Sequence, residues 1–251
     1  MKVRFLPVRK ILAAALPLLL LLATPALAQT LTLDMGEGDG STTGRIVQYL
    51  GLITVLSIAP SILIMTTSFT RIIVVLSLLR SAIGAQQTPP NTVLISLALF
   101  LSAFIMAPTF EAAYNQGIKP LMDQEITETE AFDKTSAPIK AFMLKHARAE
   151  DIQLFVDISQ EGPWADAADI PGKIIAPAFM ISELRRAFEI GFLLFIPFLV
   201  IDMVVASILM SMGMMMVPPA VVSLPFKLIF FVLVDGWHLV AGSLIQSYGT
   251  A

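Results

Sequence analysis

Residues Pro177–Pro219 read PAFMISELRRAFEIGFLLFIPFLVIDMVVASILMSMGMMMVPP, and this stretch decides what kind of chain the rest must be. From Ala187 to Val217 it is apolar almost throughout, longer than the ~20 residues that carry a helix across a bilayer. Two carboxylates, Glu189 and Asp202, interrupt it. The run ends in five methionines within seven positions, Met210, Met212, Met214, Met215 and Met216, followed by Pro218-Pro219. Adjacent prolines cannot continue a helix, so a loop or a broken helix is expected there. A charge at the middle of an apolar span costs ~2.5–3.5 kcal/mol on insertion scales. Asp202 therefore needs an ionic partner or an aqueous cavity. The next apolar run, Val221–Val240, carries Lys227 in a matching position. Asp202 and Lys227 are thus expected to pair or to border a pore, with Arg185, Arg186 and Glu189 nearer an interface.

Working outward, two more apolar segments precede this one, Ile46–Met65 and Thr92–Phe110. The 251 residues are 56% hydrophobic and 14% charged, where a soluble domain carries about 25% charged residues. Mean hydropathy is +0.81. The chain reads as all-α and membrane-associated, with four long hydrophobic helical segments. It has no cysteine, which excludes thiol catalysis, cysteine-based zinc sites and iron–sulfur clusters.

Residues 1–28 read as a cleaved signal peptide. Lys2, Arg4, Arg9 and Lys10 form a positive start, Ile11–Ala23 an apolar core, and Ala26-Leu27-Ala28 a small-residue cleavage site. Cleavage removes four of the 16 Lys+Arg and no acid, leaving 12 basic against 19 acidic residues. Residues 29–44 are polar and glycine-rich, a flexible mature N-terminus. Residues 45–110 hold the first two hydrophobic segments, residues 187–251 the last two with the methionine-rich loop. In the connection after the first segment, Arg71 and Arg80 flank a short apolar run without any acid, and the excess of arginine assigns it to the cytoplasmic side. The polar region 111–186 is then periplasmic. From Glu111 to Glu189 it holds 14 acids and 8 bases. Helical spacing puts Ile139, Phe142, Met143 and His146 on one face, so a small helical domain is expected.

Little in the sequence points to catalysis. His146 and His238 stand without spaced partners, no Ser/His/Asp set emerges, and no nucleotide-binding loop is present. No cofactor, metal or nucleic acid is expected. The methionine cluster admits three readings: a Cu(I) site, which lacks nearby His or Cys; adaptable packing; or a deformable seal around an opening. Composition does not separate the last two.

Long blocks carry a resemblance. MTTSFTRIIVVLSLLRSAIGAQQTPPNTVLISLALFLSAFIMAP (Met65–Pro108), the opening stretch Pro177–Pro219 and LPFKLIFFVLVDGW (Leu224–Trp237) resemble the FliP family of flagellar type III export-gate proteins and its injectisome relatives. The signal peptide and length look like the flagellar branch; an injectisome-type gate subunit is the alternative, a small-solute or ion transporter a remoter one. The resemblance implies several copies assembling with FliR and FliQ into a helical, conical pore in the flagellar basal body of the inner membrane. FlhB and FlhA of the export apparatus are further implied partners, alongside membrane lipid and the unfolded flagellar proteins that pass through. It also implies a gasket role for Met214, Met215 and Met216, extended to Met210 and Met212, and functional charges at Asp202 and Lys227. Its hydrophobic segments are implied to form kinked hairpins, consistent with Pro60, Pro197 and Pro225.

Overall fold

A computed structural model describes residues 42–249 apart from 86, 163, 165 and 215. The expected signal peptide, the stretch after it to residue 41, and Met215 lie outside the described residues. The chain divides between Leu50 and Gly51 into two units; the core, the polar networks and the cavities all belong to the second. All regular elements among the described residues are helical. They are α1 (Thr42–Met65), α2 (Phe69–Ile83), α3 (Asn91–Ala113), a π-helical turn at Tyr114–Ile118, α4 (Lys119–Met122), α5 (Glu128–His146), α6 (Ala149–Ser159), a 3-10 turn at Ala167–Asp169, α7 (Gly172–Ser211), α8 (Pro219–Leu233) and α9 (Gly236–Gln246). The polar N-terminal stretch is expected to reach residue 44, but α1 already begins at Thr42.

Each break has a local chemical reason. Between α1 and α2 the hydroxyls of Thr66 and Thr67 donate to the carbonyls of Ile62 and Ile64, at 3.0 and 3.1 Å. The Ile64 carbonyl is an acceptor that the end of the helix leaves open, while the Ile62 carbonyl also takes the Thr66 N–H at 3.0 Å. Gly84 ends α2 in the left-handed region, φ +87°, its N–H bonded to the Ser81 carbonyl. Thr127 opens α5 with a capping box. Its side chain accepts from the Glu130 N–H at 3.3 Å, and the Glu130 carboxylate accepts from the Thr127 N–H at 3.0 Å. Gly236 starts α9 directly against the Phe231 ring, where a β-carbon would lie 2.1 Å from a ring atom. There α8 and α9 are bent by 63°.

The core forms around α2. Ile72, Val75, Leu76 and Leu79 recur at helical spacing and are fully buried. They pack mainly along α7 and α3. The sequence pattern suggests a basic loop on the cytoplasmic side between the first two hydrophobic runs; the segment is instead an enclosed helix, and its Arg71 pairs with Glu183 of the region 111–186, which the same pattern assigns to the opposite side. Burying four such side chains contributes roughly 1.5–3 kcal/mol each relative to exposure. A second cluster joins Met143 of α5 to Ile174, Ile175 and Phe179 of α7, with Ile139 and Phe142 against it. The face predicted for Ile139, Phe142, Met143 and His146 is therefore the packing face of α5.

The 40 residues of α7 tie both clusters together. The domain boundary expected between residues 186 and 187 falls inside this helix, which runs on without interruption. Pro177 and Pro197 are accommodated within it. Asn91–Met122 and Gly172–Ser211 are long and apolar enough to cross a membrane, and the bent pairs α1/α2 and α8/α9 bring the candidate spans to as many as four.

Candidate functional site

Two buried polar networks and one exposed methionine turn stand out. The first network begins at Arg71, in the first turn of α2. Its Nε and Nη2 donate to the two oxygens of Glu183 on α7, at 2.9 and 2.5 Å. The paired side chains are 1% and 0% exposed. Two parallel bonds match the guanidinium fork to the carboxylate. The Arg71 Nη1 reaches the Ser247 hydroxyl at 2.9 Å, and the guanidinium lies 3.8 Å from the centre of the Tyr248 ring. The Tyr248 hydroxyl also donates to Glu183. Burial, then the neighbouring Glu183 charge, pushes the phenol well above its usual range, so Tyr248 remains a donor.

His146 sits at the edge of this network, its ring 4.7 Å from Phe142 and 5.0 Å from Tyr248. Desolvation holds its pKa down at about 4, with the charges of Arg71, Lys145 and Arg186 acting in the same direction. It is a neutral packing residue, as its isolation in sequence implied.

The second network joins the residues that the apolar runs singled out. Lys227 of α8 donates to Asp202 of α7 at 2.6 Å, and the Ser223 hydroxyl donates to the other Asp202 oxygen at 2.5 Å. The ammonium also reaches the Ala82 carbonyl at 3.3 Å. That carbonyl belongs to the last turn of α2, where acceptors are open and the helix dipole favours a cation. Lys227 is 8% exposed and Asp202 32%. The pair thus closes the α7–α8 hairpin onto α2 while its acid keeps access to the surface. By contrast Arg185 and Glu189 pair at 3.0 Å on the surface.

Beyond this pair the hairpin ends in the methionine turn. Ser211 closes α7, Gly213 turns the backbone at φ +75°, and Pro219 begins α8. The Val217 N–H bonds back to the Met214 carbonyl at 3.3 Å. Met210, Met212, Met214 and Met216 are all exposed, Met216 at 97%. The thioethers face outward at a hairpin tip instead of filling the chain's own core.

Sequence reasoning finds Asp202 and Lys227 but misses Arg71, Glu183 and Tyr248. In sequence Arg71 looks like the flank of a loop, and Glu183 like one acid among many. A signal exists: Ile175, Phe179, Glu183 and Ala187 follow at four-residue steps, and all four are buried. A lone acid on an otherwise apolar stripe calls for a buried base.

Among the described residues the regular structure is all helical, with two to four candidate spans long and apolar enough to cross a membrane. The FliP family model matches residues 52–244, and the chain belongs to the FliP family. It is 65% identical over 224 residues to a flagellar biosynthetic protein FliP of Caulobacter vibrioides, covering 89% of this chain and 84% of that one. The protein of the same name from Bacillus subtilis is 54% identical over 84% of this chain and 96% of its own. That from Rhizobium meliloti is 51% identical over 84% and 86%.

Proposed function

We propose that this chain is a pore-forming subunit of the flagellar protein export gate, passing unfolded flagellar proteins across the inner membrane. As a member of the FliP family it is a flagellar biosynthesis protein of the export apparatus and a membrane protein. The finer reading is that several copies assemble with FliR and FliQ, next to FlhB and FlhA, around a common opening. In this arrangement the region 111–186 and the mature N-terminus lie on the periplasmic side. The names of the relatives favour the flagellar branch over an injectisome.

The observation that carries the reading is the outward-facing methionine turn at the end of a hairpin clamped by Asp202 and Lys227. Unbranched thioether side chains conform to irregular and changing surfaces. A ring of such turns closes an opening and yields to chains of different sequence. Met214, Met215 and Met216 form the centre of this seal, with Met210 and Met212 behind them. The chain's task is conduction and closure, with no bond chemistry of its own.

Replacing Met214, Met215 and Met216 together by alanine tests this. The assembled complex should form at the wild-type level while cells or proteoliposomes conduct ions with export idle. Wild-type conductance in the triple variant would remove the seal from the proposal.

A further inference from the structure

Beside the Arg71 network lies a cavity of about 400 Å³, lined by Arg71, Arg148, Arg186, Glu189, Ile190 and Ser247. Its charges are unequally committed. Arg71 is bound to Glu183 and Ser247. Glu189 is held by Arg185 on the surface. Arg148 bonds to the exposed Glu150 and stands 3.9 Å from Asp151, beyond hydrogen-bond reach. Arg186 is half-buried and has neither an ion pair nor a hydrogen bond among the described residues. An arginine fork matches phosphate oxygens well, and here one faces a cavity that already holds two further guanidinium groups.

The rest of the same helix face selects the source of the anion. From Arg186, steps of three and four residues lead through Ile190 and Leu193 to Val200 and Val204, and the last three are exposed apolar side chains. At 1.5 Å per residue, Val200 lies about 21 Å along α7 from Arg186. There a wholly apolar groove of about 580 Å³ opens between α7 and α8, lined by Val200, Val204, Ile208 and Phe226 among others. A basic cavity is thus followed, along one face of an apolar helix, by an apolar track and a groove.

We propose that this face holds one anionic phospholipid. The headgroup phosphate sits between Arg186 and Arg148, and the acyl chains run along Leu193 and Val200 towards the groove. Basic pockets beside membrane helices bind such headgroups, each basic side chain contributing about 1 kcal/mol near the surface. Glu189 stays neutralised by Arg185, so it does not repel the phosphate. The assignment requires only that the chain is in a membrane, and it stands apart from the gate reading.

The test uses the full chain in mild detergent, with retained lipid identified by native mass spectrometry. Phosphatidylglycerol should bind in preference to phosphatidylcholine, and R186Q should weaken that binding roughly five- to tenfold. K173Q, which removes an exposed charge away from the cavity lining, should bind like wild type. Equal retention in R186Q and wild type would overturn the proposal. In parallel, the melting temperature of the unaltered protein is compared in phosphatidylglycerol nanodiscs, in phosphatidylcholine nanodiscs, and in detergent with inorganic phosphate. Stabilisation by phosphatidylglycerol alone supports the lipid. An equal shift with inorganic phosphate makes the cavity a site for a free anion and overturns it, as does equal stability in the two lipids.

Discussion

The two buried ion pairs solve the same problem in different ways. Arg71–Glu183 is sealed: both side chains are closed off, and Ser247 and Tyr248 saturate what remains of their hydrogen bonding. Asp202–Lys227 is half-open, with its lysine buried and its acid reaching the surface. The sealed pair joins α2 to α7 and to the residues after α9. The half-open pair joins α7 and α8 near the exposed methionine turn, and touches only the last turn of α2. The difference separates a structural lock from a hinge support: a charge closed off on all sides cannot take a new partner, whereas an accessible carboxylate can.

The strongest way to break the comparison is to cut the sealed pair. Glu183→Ala leaves Arg71 as an unpaired cation in the core, which costs about 3–5 kcal/mol. The expected outcome is loss of folded protein from membranes, measured as protease resistance and thermal stability; a stable variant would show that the pair is not a lock. Asp202→Ala should cost less, about 1–3 kcal/mol, since Lys227 keeps the Ala82 carbonyl and loss of the half-open carboxylate lets water reach the ammonium. The folded monomer should persist while assembly or motility suffers. A collapse as severe as that of Glu183→Ala would erase the distinction.

The enclosure of the sealed network can be sharpened by pH. His146 titrates near 4 when folded, below its ordinary 6.5, because burial disfavours the imidazolium. Below pH 6.5 the unfolded chain takes up a proton that the folded one refuses. Stability from this group is complete above that pH and declines as pH falls towards 4. Comparison of melting temperatures at pH 7 and pH 5 should show a smaller drop in His146→Gln than in wild type; identical drops would mean that His146 is not enclosed. Smallest of all, Glu189→Ala removes a surface pair whose side chains are 56% and 60% exposed, and should change stability by about 0–1 kcal/mol. A motility defect matching that of Asp202→Ala would dissolve the contrast between deep and surface charges.

Much of this was legible in the residues. An acid and a base in consecutive apolar runs had few ways of being tolerated, and Asp202 and Lys227 do meet. The helical class, the stop at Pro218-Pro219 and the packing face of α5 followed from periodicity and from what proline cannot do. The position of α2 did not follow. Ile72–Leu79 is too short to read as a span, and its flanking arginines look like the rim of a loop. Only its packing along α7 turns Arg71 inward.

Local sequence determined the helical class, the stop at Pro218-Pro219 and the need of Asp202 and Lys227 for a partner, because those properties depend on neighbours a few residues away. Tertiary structure alone decided which base takes which acid over long separations. Arg71 meets Glu183 and Tyr248 across 112 and 177 residues of chain, and a hydrophobic pattern does not record which of several apolar faces will pack together. The same holds for the methionines. Their number is written in the sequence; that Met210, Met212, Met214 and Met216 face outward follows from where the α7–α8 hairpin ends.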